Sequence, residues 1–244
     1  MAYPQYSIVI PAYNEAARIA GALESVLGCV RSRGWFAEVV VVNDGSRDQT
    51  ADIVREFAAG APEVRLLENP GNCGKGYSVR HGLLESFGEI VMFTDADLSA
   101  PIEEADKLLA ALKDHDVAIG SRAMDRGLIE VHQSPFREFA GIIFNTIVRL
   151  TLRLPFVDTQ CGFKAFRRAP SRIIFAQQTI ERFGFDPEIL YLARHHGLST
   201  IEVPVRWSHS PATKVSMLRD SLQMFLDVFI IRWNALRGRY RKAK

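Results

Sequence analysis

Residues 89–97 read EIVMFTDAD, an apolar run that ends in two carboxylates one residue apart. Side chains of extended backbone alternate between two faces, so Asp95 and Asp97 point to the same side. Two convergent carboxylates suit a hard divalent cation such as Mg²⁺ or Mn²⁺, which keeps its other positions for water and substrate phosphate. A triplet of this kind also occurs on solvated turns, so its place in the fold decides between the two interpretations.

Similar apolar runs surround this one and predict a sheet. They are short and rich in Val and Ile, which is typical of parallel strands covered on both faces. The predicted strands are residues 6–10, 38–42, 64–67, 89–94 and 116–119, and the predicted helices between them are 15–27, 50–58, 76–87 and 102–113. The alternation predicts an α/β fold with a mostly parallel, Rossmann-like sheet flanked by helices, and it stops beyond residue 120. Ligands of such sheets bind at the carboxyl ends of the strands.

Polar residues also follow the first two predicted strands. Pro11, Tyr13, Asn14 and Glu15 come after the first strand, and Asp44 comes after the second. A carboxylate there can accept a hydrogen bond from a ribose hydroxyl or a base N–H, which predicts a nucleotide site. The same residue types also cap helices and close turns, and for each residue alone the two interpretations stay open.

A glycine-rich stretch, NCGKG at residues 72–76, precedes the third predicted helix. Gly74 permits close backbone approach, and Lys75 beside a helix N-terminus suits an anion. No Ser or Thr follows the lysine, so the stretch is not a Walker loop. A GxGxxG pattern is also absent, which argues against a dinucleotide cofactor.

Composition excludes several classes of protein. The chain has 244 residues, enough for one large domain or two small ones, and its net charge of +2 argues against a nucleic-acid partner. Its three cysteines are widely spaced, which predicts neither a disulfide framework nor a metal site and favours a reducing cytoplasm. We find no leader sequence and no apolar run of 18 residues, so we expect at most contact with a membrane surface.

Two segments of the second half are amphipathic. Residues 137–154 and 218–236 each carry a stripe of large apolar side chains, and six Lys or Arg with no acid follow Asp227. Such helices fit the cytoplasmic face of a membrane, but packing on the domain or a homodimer explains the stripes equally well. We predict one domain at 1–215, divided near residue 120 into a first half that carries the predicted nucleotide site and a second half, and a basic amphipathic segment at 216–244.

Together these residues resemble glycosyltransferase family 2, whose members share the GT-A fold. The first half carries IVIPAYNEA at 8–16, VVNDGSRDQT at 41–50 and FTDADLSAP at 93–101. The second half carries GSR at 120–122, DTQCGFKAF at 158–166, ERFGFDPEILYLA at 181–193 and IEVPVRW at 201–207. These later stretches resemble the dolichyl-phosphate β-glucosyltransferase branch, beside the polyprenyl-phosphate mannosyltransferases.

The resemblance implies transfer of a hexose from a nucleotide sugar, UDP-glucose on this analogy, to a polyprenyl monophosphate with inversion at the anomeric carbon. It implies that Mg²⁺ or Mn²⁺ is the cofactor. The donor-binding residues would be Pro11, Tyr13, Asn14, Glu15, Asp44, Gly74, Lys75, Asp95, Ala96, Asp97, Arg206 and Lys214, with Asp95 and Asp97 on the metal. Many relatives carry Gln where this chain has Ser99, so Ser99 is expected to reach the metal at most through water.

The resemblance also implies the catalytic set. Arg122 matches an arginine that faces the reacting phosphates, Arg137 an acceptor-phosphate arginine, and Lys214 a lysine of a mobile loop over the donor. Asp97 belongs to this set as well. Asp158 either orients the sugar or an arginine, or is a buried structural carboxylate, and both interpretations stay open.

Four alternatives remain at this point. A mannosyltransferase using GDP-mannose and a family 2 enzyme with a saccharide acceptor are the nearest. A non-catalytic nucleotide-sugar binding module and a nucleotidyltransferase are further away. If the acceptor is a phosphate, its second pKa near 6 leaves it mostly dianionic at neutral pH, so no strong general base is needed. Within the DTQCGFK stretch, we expect Cys161 to be a small packed side chain and not a nucleophile.

Overall fold

The centre of the protein is a seven-stranded, mostly parallel sheet. A computed structural model describes residues 3–131, 134–209 and 219–241. The strands are β1 (Tyr6–Ala12), β2 (Ala37–Asn43), β3 (Val64–Glu68), β4 (Ile90–Phe93), β5 (Val117–Ser121), β7 (Lys164–Arg167) and β8 (Thr200–Pro204). Their order across the sheet is β3-β2-β1-β4-β7-β5-β8, and β7 alone runs antiparallel to its neighbours. A separate parallel pair joins β6 (Ile129–Val131) to β9 (Trp207–Ser208).

Helices cover both faces of the sheet. They are α1 (Ile19–Ser32), α2 (Thr50–Gly60), α3 (Lys75–Leu84), α4 (Ala105–Ala111), α5 (Pro135–Leu152), α6 (Arg168–Gln177), α7 (Phe185–His195) and α8 (Arg219–Leu236), with short 3₁₀ turns at Ile102–Glu104 and Arg126–Leu128. Two apolar clusters result, one containing α1, α2 and α4 and the other containing α3, α6, α7 and parts of α5 and α8. The prediction of an α/β fold with helices on both faces is therefore confirmed.

All five predicted strands are present, and the six predicted helices occur with shifted ends. The expectation that the alternation stops at residue 120 is wrong, because β7, α6, α7 and β8 extend it. The missed strand β7 has the sequence KAFR, and its Lys164 is completely buried. Apolar periodicity could not indicate this strand because two of its four residues are charged.

The last helix packs against α7. Val228 and Ile231 of α8 and Tyr240 beyond it belong to the same apolar cluster as α7. The Tyr240 hydroxyl donates to Glu188 Oε1 at 2.7 Å, which connects the end of the described chain to α7. In the three ranges that the structure describes, no helix has both the length and the apolar character needed to cross a bilayer.

Candidate active site

A cavity of about 420 Å³ opens where β1, β2 and β4 end. The predicted donor residues that line it are Pro11, Tyr13, Glu15, Asp44, Gly74, Lys75, Asp95, Ala96 and Asp97. They come from four separate parts of the chain, and the parallel register brings them together because every parallel strand ends at the same edge. We call this space the donor cavity.

Asp44 is both a cavity residue and a structural acceptor. It is 4% exposed, and its carboxylate accepts hydrogen bonds from Asn69 Nδ2 at 2.7 Å and from the backbone N–H groups of Cys73 and Gly74 at 2.9 and 2.8 Å. A carboxylate has about four acceptor sites, so one remains for a ligand. Asp44 therefore holds the glycine-rich loop in place while keeping capacity for one further donor.

Gly74 directly precedes α3, and its backbone conformation determines where this helix begins. Its φ is +107°, and a Cβ there would overlap with the backbone oxygen of Glu181. The next residue, Lys75, pairs through Nζ with Asp95 Oδ1 at 2.6 Å. Burial acts to lower the pKa of Lys75, but the charges of Asp95 and Asp186 outweigh it and raise that pKa. The lysine thus stays cationic at the edge of the donor cavity.

Asp95 lies against the glycine of the DTQCGFK stretch. A Cβ added at Gly162 would lie 2.7 Å from Asp95 Cγ and would overlap with the carboxylate oxygens. Only a glycine leaves room for the carboxylate at this position. Gly162 of the DTQCGFK stretch therefore limits the position of the Asp95 carboxylate, although the two residues are 67 positions apart in the sequence. The spacing of the motifs alone did not indicate this contact.

The turn that follows Asp97 orients its carboxylate. Leu98 has φ +46°, a conformation that is strained for a side chain of this size. This turn lets the Ser99 N–H donate to Asp97 Oδ1 at 3.0 Å. Ser99 does not line the donor cavity. Its contact with Asp97 is therefore through the backbone.

The carboxylate oxygens of Asp95 and Asp97 are suitable ligands for a hard divalent cation. Asp95 and Asp97 line one cavity, and carboxylate oxygen is the ligand that Mg²⁺ and Mn²⁺ prefer. Within the described ranges, no group of three or more His, Cys, Asp or Glu residues is arranged to hold a metal ion. The remaining coordination positions would therefore fall to water and to substrate oxygens, which is the usual mode for Mg²⁺.

Arg18 is a cavity residue that the sequence reasoning missed. Its Nη2 donates to Glu15 Oε1 at 2.8 Å, and hydrogen bonding to Glu15 is the main reason that its pKa is raised. Asp97 and Asp95 are near enough to add to that rise. Arg18 is three residues after Glu15, so both lie on one side of a helical turn. This spacing could have predicted their contact. Other cavity residues not predicted are Asn72, Ser78, Arg182, Phe183 and Asp220.

A second cavity of about 160 Å³ contains the predicted arginines. Arg122 directly follows β5, and Arg137 lies in the first turn of α5. Asp158 also lines it. Further lining residues, none of which was predicted as a site residue, are Ala123, Arg126, Ile129, Glu138, Gly141, Ile142, Asn145, Val157, Gln160 and Trp207. We call this space the arginine cavity.

Asp158 holds Arg122 by one edge of its guanidinium. Arg122 Nε donates to Asp158 Oδ2 at 2.7 Å and Nη2 donates to Oδ1 at 2.9 Å, while the Arg122 backbone N–H donates to Oδ2 at 3.0 Å. The guanidinium also lies over the ring of Trp207, with 5.4 Å from Cζ to the centroid. Its other edge remains for a ligand, and a planar fork fixed in this way suits a phosphate.

The Arg122–Asp158 pair stays ionised over a wide pH range. Burial acts to raise the pKa of Asp158, but the charge and hydrogen bonds of Arg122 overcome it and lower that pKa from 3.8 to about 2. The stabilisation from this pair is therefore complete above pH 3.8 and is lost only as the pH falls toward 2. Of the two open interpretations of Asp158, orientation of an arginine is the one that these contacts favour.

The DTQCGFK stretch connects the two cavities. Asp158 and Gln160 line the arginine cavity, whereas Gly162 lies against Asp95 of the donor cavity. Four residues of extended chain span at most about 14 Å. One short stretch of chain therefore borders both cavities.

A buried charge pair fixes the last residue of this stretch, Lys164. Lys164 donates to the Cys161 carbonyl at 2.6 Å and pairs with Asp186, at the start of α7. Burial raises the pKa of Asp186, and the charges of Lys164 and Lys75 only partly oppose it. Cys161 is buried within an apolar cluster, as expected of a packed side chain, and this burial raises the pKa of its thiol to about 12.

Three predicted residues are not brought into either cavity. Asn14 has φ +52° and joins two loops, because its N–H donates to Ser46 Oγ and its Oδ1 accepts from the Arg47 N–H. Arg206 pairs with Glu104 through Nε at 2.7 Å. Ser99 is the third. Lys214 lies outside the described residues, so its predicted role has no structural account.

Comparisons with known proteins identify the family to which the chain belongs. The family described as Glycosyl transferase family 2 matches residues 7–175. The chain is 35% identical over 233 residues to "Dolichyl-phosphate beta-glucosyltransferase ALG5C" of Trichomonas vaginalis, covering 91% of this chain and 69% of that protein. It is 37% identical over 253 residues to the "Dolichyl-phosphate beta-glucosyltransferase" of Drosophila melanogaster, covering 98% and 78%.

A solved structure shares the fold. It is glucosyl-3-phosphoglycerate synthase from Mycobacterium tuberculosis in complex with Mn²⁺, UDP and glucosyl-3-phosphoglycerate, with a TM-score of 0.67 and 19% identity. The alignment covers 99% of this chain and 81% of that one. At this identity the likeness concerns the architecture alone, and that architecture is the GT-A fold predicted from the motifs.

Proposed function

Because the chain belongs to glycosyltransferase family 2, we propose that this glycosyltransferase moves glucose from UDP-glucose to the phosphate of a dolichyl-type polyprenyl monophosphate. The sugar and acceptor follow from relatives named dolichyl-phosphate beta-glucosyltransferase. The observation that carries the proposal is the stretch at residues 158–164, which lines the arginine cavity with Asp158 and Gln160 and lies against Asp95 of the donor cavity through Gly162. Such a pair of sites suits a reaction in which two anions meet.

The chemistry that we propose is a direct displacement. An oxygen of the acceptor phosphate attacks the anomeric carbon of glucose, a new C–O bond forms, and the bond to the diphosphate breaks with its electron pair on the departing UDP. Inversion at the anomeric carbon follows from attack opposite the leaving group. The acceptor is already mostly dianionic at neutral pH, so no side chain has to remove a proton.

Repulsion between the two substrates is the main obstacle, and cationic side chains offset it. We propose that the free edge of Arg122 binds the acceptor phosphate together with Arg137, while Lys75 and Arg18 lie beside the diphosphate. Asp95 and Asp97 would hold Mg²⁺ or Mn²⁺, which supplies charge neutralisation for the departing diphosphate when bound. Alignment of attacking and leaving oxygens is then a matter of positioning.

Gly162 provides a test of the metal site that avoids its ligands. Gly162→Ala is expected to lower transfer by at least about 100-fold, because the added methyl forces the Asp95 carboxylate to move and misplacement by about 1 Å costs that much. Mn²⁺ affinity, measured by electron paramagnetic resonance, should fall in parallel. The fold should survive, since a short side chain can rotate away.

Gly28→Ala is the matched control, because a Cβ there meets nothing within 4 Å and the residue lies inside α1. That variant should transfer glucose at the wild-type rate. Unchanged activity and Mn²⁺ binding in Gly162→Ala would remove Asp95 from the proposed metal site.

We further propose that α5 and α8 lie on the cytoplasmic face of a membrane. The two helices pack against each other and expose large apolar side chains. These are Phe136, Phe139, Ile142, Ile143, Leu150, Leu222, Leu226, Phe229, Ile230, Trp233 and Leu236. Ile142 is 53% exposed and also lines the arginine cavity, so that cavity opens beside the apolar face. A lipid phosphate arriving from a membrane would meet the arginines there.

Vesicle flotation tests this surface without disturbing the core. Replacing Leu226, Phe229 and Trp233 with Gln should reduce binding to vesicles containing anionic lipid by at least about tenfold, because three apolar side chains no longer enter the interface. Truncation of α8 is unsuitable because Val228 and Ile231 are buried.

The matched control changes three exposed aromatic residues elsewhere, Tyr3, Phe36 and Phe87, to Gln. Its vesicle binding should equal that of the wild type. If the α8 triple variant binds vesicles normally but loses a dimer in solution, the surface is a contact between two copies and the membrane proposal is wrong.

The proposed reaction is tested with a panel of radiolabelled nucleotide sugars, Mg²⁺ or Mn²⁺, and a polyprenyl phosphate. We expect a lipid-linked product from UDP-glucose alone. A product from GDP-mannose would correct the donor, and transfer to a saccharide would correct the acceptor. Nucleotide binding without any transfer would contradict the proposed activity.

A further inference from the structure

Glu202 lies in neither cavity but contacts the chain that forms one of them. It belongs to β8, opposite Ile119 of β5 in the parallel register. Its two carboxylate oxygens accept from consecutive backbone N–H groups, Oε2 from Val157 at 2.8 Å and Oε1 from Asp158 at 2.7 Å. One side chain of the central sheet therefore fixes the backbone at the start of the DTQCGFK stretch.

The residue fixed in this way is the one that holds Arg122. Asp158 is 5% exposed, and its carboxylate accepts from Arg122 at three points and from the Gln160 N–H at 3.1 Å. An aspartate side chain is short, so the place of its carboxylate follows closely from the place of its Cα. A shift of the backbone at Asp158 would therefore rotate or displace the guanidinium of Arg122.

Glu202 and Arg122, the first and last residues in this series of contacts, lie in or directly after the paired strands β8 and β5. Glu202 is in β8, and Arg122 directly follows Ser121, the last residue of β5, which pairs with Pro204 of β8. The contacts that run from Glu202 through Asp158 to Arg122, which we call the relay, therefore connect two points of a rigid sheet through a loop. Asn145 of α5 holds the same loop from the other side, since its Oδ1 accepts from Thr159 Oγ1 at 2.8 Å and its Nδ2 donates to the Val157 carbonyl.

We infer that Glu202 is a positioning residue that keeps Arg122 in its phosphate-binding orientation by fixing the backbone of Val157 and Asp158. Glu202 itself touches no substrate group. The inference rests on the proposed function, because it takes the Arg122 guanidinium as a group that binds the acceptor phosphate. It adds a residue whose carboxylate acts through Asp158 on the acceptor side only.

Glu202→Gln tests the inference, because an amide has one acceptor oxygen for two N–H groups and turns its NH₂ toward the second. We expect kcat/KM for polyprenyl phosphate to fall at least about tenfold, as loss of a buried hydrogen bond to a charged group predicts. The KM for the nucleotide sugar should stay within about twofold. Glu56→Gln, on the exposed side of α2, is the control and should leave both constants unchanged.

A double-mutant cycle separates positioning from a general structural role. In an Arg122→Lys background, Glu202→Gln should cause little further loss, because the two-point fork that it positions is already gone. If the two losses multiply in full, or if Glu202→Gln alone keeps wild-type acceptor kinetics, the inference is wrong.

Amide hydrogen exchange gives a readout that does not need turnover. Glu202→Gln should speed exchange of the Arg122 N–H, which donates to Asp158 Oδ2, as well as that of Val157 and Asp158. Faster exchange at Val157 and Asp158 with an unchanged Arg122 amide would contradict the relay. If Glu202→Gln proves unfolded, Glu202→Asp is the second variant, because its shorter side chain draws the carboxylate away from the Val157 and Asp158 N–H groups, and the same exchange pattern is expected.

These measurements distinguish the two proposals. A wild-type enzyme that transfers nothing to polyprenyl phosphate contradicts the proposed function, whereas the exchange pattern still decides whether Glu202 positions Arg122. Wild-type transfer combined with normal acceptor kinetics in Glu202→Gln contradicts only the inference.

Discussion

Asp97→Ala is expected to reduce glucose transfer by at least about 1,000-fold while the protein stays folded. Asp97 lines the donor cavity beside Asp95, and its carboxylate is partly exposed, so its removal leaves no large hole in the core. The loss has a simple origin, because one of two carboxylates that would hold the cation is gone. The charge on the departing diphosphate then lacks its main counterion.

Three measurements accompany this variant. Initial rates with UDP-glucose and polyprenyl phosphate give the loss, thermal unfolding shows that the fold survives, and Mn²⁺ titration should show weaker metal binding. Asp114→Ala changes an exposed aspartate outside both cavities and should behave as the wild type. Near-normal transfer by Asp97→Ala would overturn the metal assignment for this residue.

Arg122→Lys should lower kcat/KM for the acceptor by about 100-fold although the charge is kept, because a lysine cannot form two parallel hydrogen bonds. In the wild type, one edge of the guanidinium is bound by Asp158 and its face lies over Trp207. An ammonium group paired with Asp158 has no fixed second edge to offer a phosphate. The buried carboxylate keeps a cationic partner, so the fold should remain.

The acceptor constants locate the effect. The KM for UDP-glucose should change little, since Arg122 lines the arginine cavity and not the donor cavity. Arg55→Lys, at an exposed site on α2, is the control. An Arg122→Lys enzyme with wild-type acceptor kinetics would mean that charge alone suffices, and the two-point binding of phosphate would have to be abandoned.

Much of the donor cavity could be predicted from the sequence. Pro11, Asp44 and Asp95 each follow an apolar run, and the carboxyl ends of parallel strands meet at one edge. Local signals were sufficient there because each functional residue is adjacent to the strand that positions it. Asn14 and Ser99 met the same condition, but the structure places both outside the donor cavity, where they make contacts within the loops.

The acceptor side depended more on contacts that are distant in sequence. Strand β7 inserts antiparallel between β4 and β5 although two of its four residues are charged. It buries Lys164, the last residue of the DTQCGFK stretch, against Asp186, and Gly162 of the same stretch lies against Asp95. Apolar periodicity does not indicate this insertion, because only Ala165 and Phe166 of its four residues are apolar and the buried Lys164 pairs with Asp186, 22 positions away.

The sequence by itself determined the α/β class, the five apolar strands and the carboxylate pair, because these depend on residues that are neighbours along the chain. Only the tertiary structure decided that Asp158 grips Arg122, that Glu202 fixes Asp158, and that Arg206 turns away toward Glu104. An ion pair or hydrogen bond between residues 36 or 44 positions apart forms only when the sheet has brought their strands together. No local sequence pattern indicates such a contact.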